Sequence, residues 1–348
     1  MSQTAVHTVN RLQPLDALRG MAALGVVFFH FTLHHPSYET YFRFGTTGVD
    51  LFFMISGFVI FMSLQKADSI RTFITNRLSR LYPAYWMGVL FSFALITIHF
   101  HYSAKYAIDR PWLTLAGNLT MVQYYLGVHD LEGPYWTMIV ELIFYVLMGL
   151  IFFLGQLKRI HIIGSLLCTA LILTAFFVDE IMWVKDIFIK VPLLYHFPLF
   201  YAGIVFYERF THSLARNRFL TGLAISFAAQ LALFPHTWRA CKHMSQPEYA
   251  VVLLLFFTIF YLFIGGKLER ISNPVTLFFG KISFPLYLTH QYLSINLLIP
   301  YFMWKHEMTL PVASLLIALP CSVAVATVIH YTAETHGSRI LRKWLRKI

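Results

Sequence analysis

The stretch LDALRGMAALGVVFFHF, residues 15–31, decides how the rest of the chain is read. It is apolar enough to enter a bilayer. Yet it carries Arg19 near one end and His30 near the other. No small-residue cleavage pattern follows it, so it reads as a retained membrane span and not as a removed signal peptide.

The remainder agrees. The chain has 348 residues, of which 58% are hydrophobic, 17% aromatic and only 12% charged. A soluble domain would carry about 25% charged residues. The mean hydropathy is +0.63. The formal net charge of +11 does not indicate nucleic acid, because the basic residues sit in short loops between apolar runs. Cys168, Cys241 and Cys321 form no pair with metal-ligand spacing, so neither a disulfide framework nor a metal site is expected.

Ten spans are expected, near residues 15–35, 46–65, 81–100, 135–155, 160–178, 188–207, 218–235, 249–265, 274–300 and 311–333. Each is long enough for a ~30 Å hydrocarbon layer. Residues 111–126 are apolar but short, and read as a re-entrant or interfacial helix. The fold class is all-α, with residues 1–348 forming one membrane-embedded domain and no additional soluble domain. Lys and Arg crowd the segments that an inside N-terminus would place inside, so both termini are expected in the cytoplasm. Arg11 on the inside, and Lys105 and Arg239 on the outside, enter that assignment. The C-terminal RILRKWLRKI reads as a basic amphipathic end suited to anionic lipid.

Ionisable side chains within spans are costly and usually face a cavity. That rule selects Arg19, His30, Asp50, Glu141, Lys190, His196, Lys281 and His290. Helix rise puts His30 at ~22 Å, Glu141 at ~21 Å and His290 at ~24 Å above the inner face, with Arg19 at ~6 Å and Lys281 at ~10 Å. Two levels follow: a cationic entrance for an anionic ligand, and a deeper His30–Glu141 pair suited to proton transfer. Arg77 and Arg80, three apart on one helix face, suit phosphate, although positive-inside charge would also explain them. Pro83 is expected to begin the third span. Ser56-Gly57 suits close helix packing and, alternatively, supplies donors to an oxyanion. Asp50 lies near the outer interface.

Four segments in this order resemble the acyltransferase-3 family of integral membrane O-acyltransferases: LDALRGMAALGVVFFH, GTTGVDLFFMISGFVI, NRLSRLYPAYW and GPYWTMIVELIFY. The last contains Trp136, Glu141 and Tyr145; a weaker fifth, ISFPLYLTH, ends at His290. Residues 155–270 show little that matches. The resemblance implies acyl transfer, usually of acetyl, from cytoplasmic acetyl-CoA or another acyl-CoA to a hydroxyl of a carbohydrate such as O-antigen. It maps the family's essential His onto His30, its Arg partner onto Arg19, its paired arginines onto Arg77 and Arg80, and its acidic residue onto Glu141. His30 and Glu141 are therefore expected to be catalytic, and Arg19, Arg77, Arg80 and Lys281 to hold the donor. Asp50, Ser56, Gly57, Trp136, Tyr145 and His290 are expected to bind substrate. No metal is expected. The partners implied are acyl-CoA, a glycan or glycolipid acceptor and membrane lipid, in a bacterial inner membrane, in a stand-alone member of the family. Three alternatives remain at this point: a covalent acyl-His30 intermediate in place of direct transfer, a small-molecule acceptor such as a macrolide, and a proton-coupled transporter.

Overall fold

The computed structural model describes residues 12–33, 35–102, 108, 110–237 and 240–347. Arg11, Lys105 and Arg239, which entered the charge assignment, lie outside them. No β-strand occurs among the described residues. The helices are α1 (Gln13–Thr32), α2 (Gly48–Gln65), α3 (Ile70–Tyr102), α4 (Pro111–Leu119), α5 (Trp136–Phe153), α6 (Ile160–Ala175), α7 (Met182–Lys190), α8 (Phe197–Phe210), α9 (Arg216–Leu233) and α10 (Gln246–Ile264). They are followed by α11 (Pro274–Gln291), α12 (Ile299–His306), α13 (Leu310–Val312), α14 (Leu319–Ile329) and α15 (Ser338–Leu345). π-helical turns join α11 to α12, α13 to α14 and α14 to α15.

Eight helical stretches among the described residues are long and apolar enough to cross a membrane. The protein is a polytopic membrane protein. Of the ten expected spans, 188–207 and 274–300 are not among the eight. The first is broken: α7 stops at Lys190, a short turn begins at Pro192, and α8 is only 14 residues long. All of α8 except Arg209 and Phe210 is buried. The second, α11, carries Lys281, Pro285, His290 and Gln291. Both helices are wrapped largely by protein, so their surfaces need not match lipid.

Two close crossings organise the bundle. A Cβ on Gly20 of α1 would lie 2.6 Å from the Gly280 amide nitrogen of α11, and one on Gly280 would lie 2.2 Å from the Asp16 carbonyl. Only hydrogen fits there, and the two backbones approach as small-residue helix pairs do in membranes. Asn273 caps α11, its side chain accepting from the amides of Val275 and Thr276, with Pro274 in the first turn. In the second crossing, Gly57 of α2 meets the Phe200 carbonyl of α8, and Gly203 meets the Met54 carbonyl. Aromatic contacts extend that seam in one direction, from Phe53–His196 and Phe53–Phe200 to Phe58–Tyr207. α2 and α8 therefore run parallel.

α3 corrects one expectation. Pro83 does not begin it; the helix runs unbroken for 33 residues, with Pro83 inside. The ring of Pro83 instead fits against Gly337, where a Cβ would lie 2.9 Å from the Pro83 Cβ. The basic C-terminal stretch is α15, which packs on α3. There Arg342 Nε donates to Ser79 Oγ at 3.3 Å, while Ile340 and Trp344 stay exposed.

Candidate active site

Two adjoining cavities hold most of the residues selected from the sequence. The smaller, of about 90 Å³, is lined by Arg19 of α1, Ser56 of α2, Arg77 and Arg80 of α3, Glu141 of α5 and Ser283 of α11. Five helices thus converge on three guanidinium groups and one carboxylate. Arg77 is buried, and its Nε makes no hydrogen bond. Its guanidinium lies 6.0 Å from the Tyr145 ring centre and 5.8 Å from that of Phe73. Arg19 has Asp16 one turn away, at 3.8 Å. The Tyr145 hydroxyl donates to Glu141 Oε1. A small cavity with three positive forks and one carboxylate suits a multiply charged phosphate ligand.

The larger cavity, a chamber of about 880 Å³, holds His30, Asp50, Trp136, His196, Tyr249 and Gln291 in its walls. Asp50 is buried, its Oδ2 makes no hydrogen bond, and Tyr249 stands within hydrogen-bonding reach of its carboxyl. Trp136 stacks obliquely on His196 at 5.3 Å. Near one rim, Asp179 pairs with Lys185 at 3.5 Å and with His236 Nδ1 at 2.8 Å. His243, outside the spans, is held below the usual imidazole range, chiefly by burial. Val49 and Tyr287 belong to both cavities and form the partition between them. Their neighbours on α5 divide likewise: Trp136 faces the chamber, and Thr137, Met138 and Glu141 face the arginines.

The expected His30–Glu141 pair does not form. Glu141 points into the arginine cavity and bonds Tyr145, while His30 faces the chamber and meets His290. The height from helix rise set Glu141 level with His30, but Glu141 shares its small cavity with Arg19, Arg77 and Arg80. His30 Nδ1 lies 2.9 Å from the Val26 carbonyl and 3.1 Å from His290 Nε2. His290 is fully buried behind His30 and lines neither cavity, so it does not meet substrate in this arrangement. Lys281 is exposed and lies outside the arginine cavity, because it points away from the face of α11 that carries Ser283. Gly57 is consumed by the α2–α8 crossing; its neighbour Ser56 alone reaches the arginines. Tyr145 sits behind Glu141 rather than in the cavity wall.

Several site residues carry no strong signal in the sequence. Tyr287 is one aromatic among many, and only its place one turn before His290 hints at its position. Glu132 is another. Its carboxylate is buried, accepting from Ser92 Oγ at 2.8 Å and from the Tyr292 amide at 2.9 Å. It ties the approach to α5 to the π-helical turn that follows His290. No group of three or more metal-ligating side chains is found among the described residues.

Residues 13–331 match the acyltransferase-3 family model, described as an acyltransferase domain. ORF330 of Acidianus two-tailed virus, whose assigned name is acetyltransferase, is 24% identical over 278 residues, covering 78% of this chain and 80% of its own. Nodulation protein 10 of Rhizobium leguminosarum bv. viciae is 29% identical over 168 residues, 42% of this chain and 46% of its own. O-acetyltransferase OatA of Staphylococcus aureus (strain NCTC 8325 / PS 47) is 30% identical over 185 residues, 48% of this chain and 29% of its own. This chain thus spans less than half the length of the last two. No solved structure matches. With the family model covering nearly the whole helical bundle and both cavities falling inside it, the chain belongs to the acyltransferase-3 family of membrane acyltransferases.

Proposed function

We propose that this membrane acyltransferase moves an acyl group, acetyl by preference, from acyl-CoA to a hydroxyl of a carbohydrate acceptor. One observation carries the reading: three arginines from two helices line a small cavity that shares a wall with a chamber holding His30.

In this reading Arg19, Arg77 and Arg80 take the CoA phosphates from the cytoplasmic side, and Glu141 balances their charge. The pantetheine arm passes the Val49–Tyr287 partition and brings the thioester to His30. The acceptor enters the chamber, where Asp50 accepts a hydrogen bond from a sugar hydroxyl and Trp136 offers a stacking face. His30 Nε2 takes the acceptor O–H proton as the oxygen bonds to the thioester carbonyl carbon. The C–S bond breaks, and the leaving sulfur takes that proton back from His30, giving the ester and free CoA thiol. Ser56 is the candidate donor to the thioester side. Family membership favours this reading over a proton-coupled transporter.

The test is mass spectrometry of surface glycans from cells with and without the protein, beside CoA release by the purified protein. An acetyl mass on one sugar, lost in His30→Ala at normal expression, is expected. Unchanged glycan acetylation with a modified small molecule would move the acceptor to another class. Normal activity in His30→Ala would remove the proposed base.

A further inference from the structure

Two histidines 260 residues apart in sequence share one hydrogen-bond chain. His290 Nδ1 lies 2.9 Å from the Leu286 carbonyl and 3.1 Å from the Tyr287 carbonyl. Carbonyl oxygens only accept, so Nδ1 of His290 carries the hydrogen and Nε2 carries the lone pair. The same rule applies to His30, whose Nδ1 faces the Val26 carbonyl at 2.9 Å and therefore bears the hydrogen. That hydrogen is shared with His290 Nε2 at 3.1 Å. The lone pair of neutral His30 is then on Nε2. Both rings are fixed in one tautomer by main-chain carbonyls one helical turn back.

We propose that His290 is the positioning residue of His30. It fixes the ring and tautomer of His30 in the ground state, and accepts its Nδ1 hydrogen bond when Nε2 gains the acceptor proton. A hydrogen bond from a charged donor is stronger than one from a neutral donor, so this contact strengthens as the imidazolium forms. His290 stays neutral throughout: its lone pair is engaged, and a second positive charge 3.1 Å away is disfavoured. A neutral acceptor suits the interior of a membrane bundle, where a buried unpaired carboxylate is costly. It also explains why Glu141 can serve the arginine cavity and leave His30 to another partner. The proposal rests on the reading of His30 as the base.

The test compares three replacements at residue 290 in the purified full chain. His290→Gln places an amide oxygen near the position of Nε2 and keeps an acceptor for His30. His290→Asn keeps a polar group near Nδ1 that does not reach His30. His290→Leu offers neither. Expected kcat falls about 10- to 100-fold for Leu and for Asn, with an unchanged KM for acyl-CoA, and most of the loss is recovered in Gln. In a His30→Ala background the same changes at 290 have no further effect on residual activity. Equal activity of Gln and Asn overturns the proposal, as does full activity in Leu or an additive loss in the His30→Ala background. If Leu does not fold, the Gln–Asn comparison decides alone. Activity retained in His30→Ala would instead sink the base reading; an inactive His30→Ala beside a fully active His290→Leu sinks only the positioning role.

Discussion

His30 and His290 stand edge to face, ring centres 4.9 Å apart and planes at 64°, and they meet because Gly20 and Gly280 meet. The sequence offset is the same at both contacts, so α1 and α11 run parallel and in register from the glycine crossing to the histidines. Ten residues of helix separate the two contacts on each chain, a rise of ~15 Å. The crossing sets the approach of the backbones, and the histidines report it at the chamber.

Enlarging either glycine should therefore harm a site that it does not touch. Gly280→Val would push a side chain into the Asp16 carbonyl. Overpacking of this kind costs roughly 1–3 kcal/mol or more. A lower thermal midpoint in detergent and a large fall in kcat are expected, with both histidines intact. A variant as stable and active as the parent would mean that the crossing does not set the His30–His290 contact.

The arginine cavity predicts a donor-specific defect. Each of Arg19→Gln, Arg77→Gln and Arg80→Gln should raise KM for acyl-CoA roughly tenfold or more, given ~1.5–3 kcal/mol for a hydrogen bond to a charged group. Arg77→Lys should not restore it, because an ammonium lacks the planar fork. Acceptor KM should stay near the parent value. Steady-state kinetics with each substrate varied in turn decides this.

Asp50→Asn should do the reverse. It removes the charge behind an unpartnered oxygen in the chamber wall while keeping the size. The expected outcome is a higher acceptor KM, with slow CoA release in the absence of acceptor unchanged. A selective loss of donor binding would assign Asp50 to the wrong cavity.

Glu132 predicts a structural defect. In Glu132→Leu the Ser92 hydroxyl and the Tyr292 amide lose their acceptor. Leaving a buried donor unpaired costs ~1–3 kcal/mol each. A lower thermal midpoint should appear, and Glu132→Gln should restore part of it. An unchanged midpoint in Glu132→Leu would show that the tie adds nothing.

Much of this architecture was legible in the chain. The apolar runs announced a helical membrane protein, and the rule that ionisable groups in spans face cavities found His30, Asp50, Arg19 and Glu141. Helix rise also separated Arg19 from His30, and the two line different cavities. What heights along an axis do not encode is azimuth. Helix rise set Glu141 level with His30, yet Glu141 lines the arginine cavity and His30 the chamber; it is His290 that touches His30. Lys281 and Gly57 were misplaced for the same reason, since one residue along a helix turns the side chain by about 100°. α8 and α11, expected as spans, are not among the eight stretches selected by length and apolarity, and most of α8 is buried in protein. Hydropathy measures composition and does not see neighbours.

The pairing of α1 with α11 also has a consequence for how the molecule is made. His30 belongs to α1, and its ring partner belongs to α11, 260 residues further along the chain. Contacts this distant in sequence form late. Until α11 arrives, Gly20 does not meet Gly280 and the His30 imidazole lacks the His290 ring. The two cavities and the His30–His290 contact are therefore complete only once α11 has packed against α1.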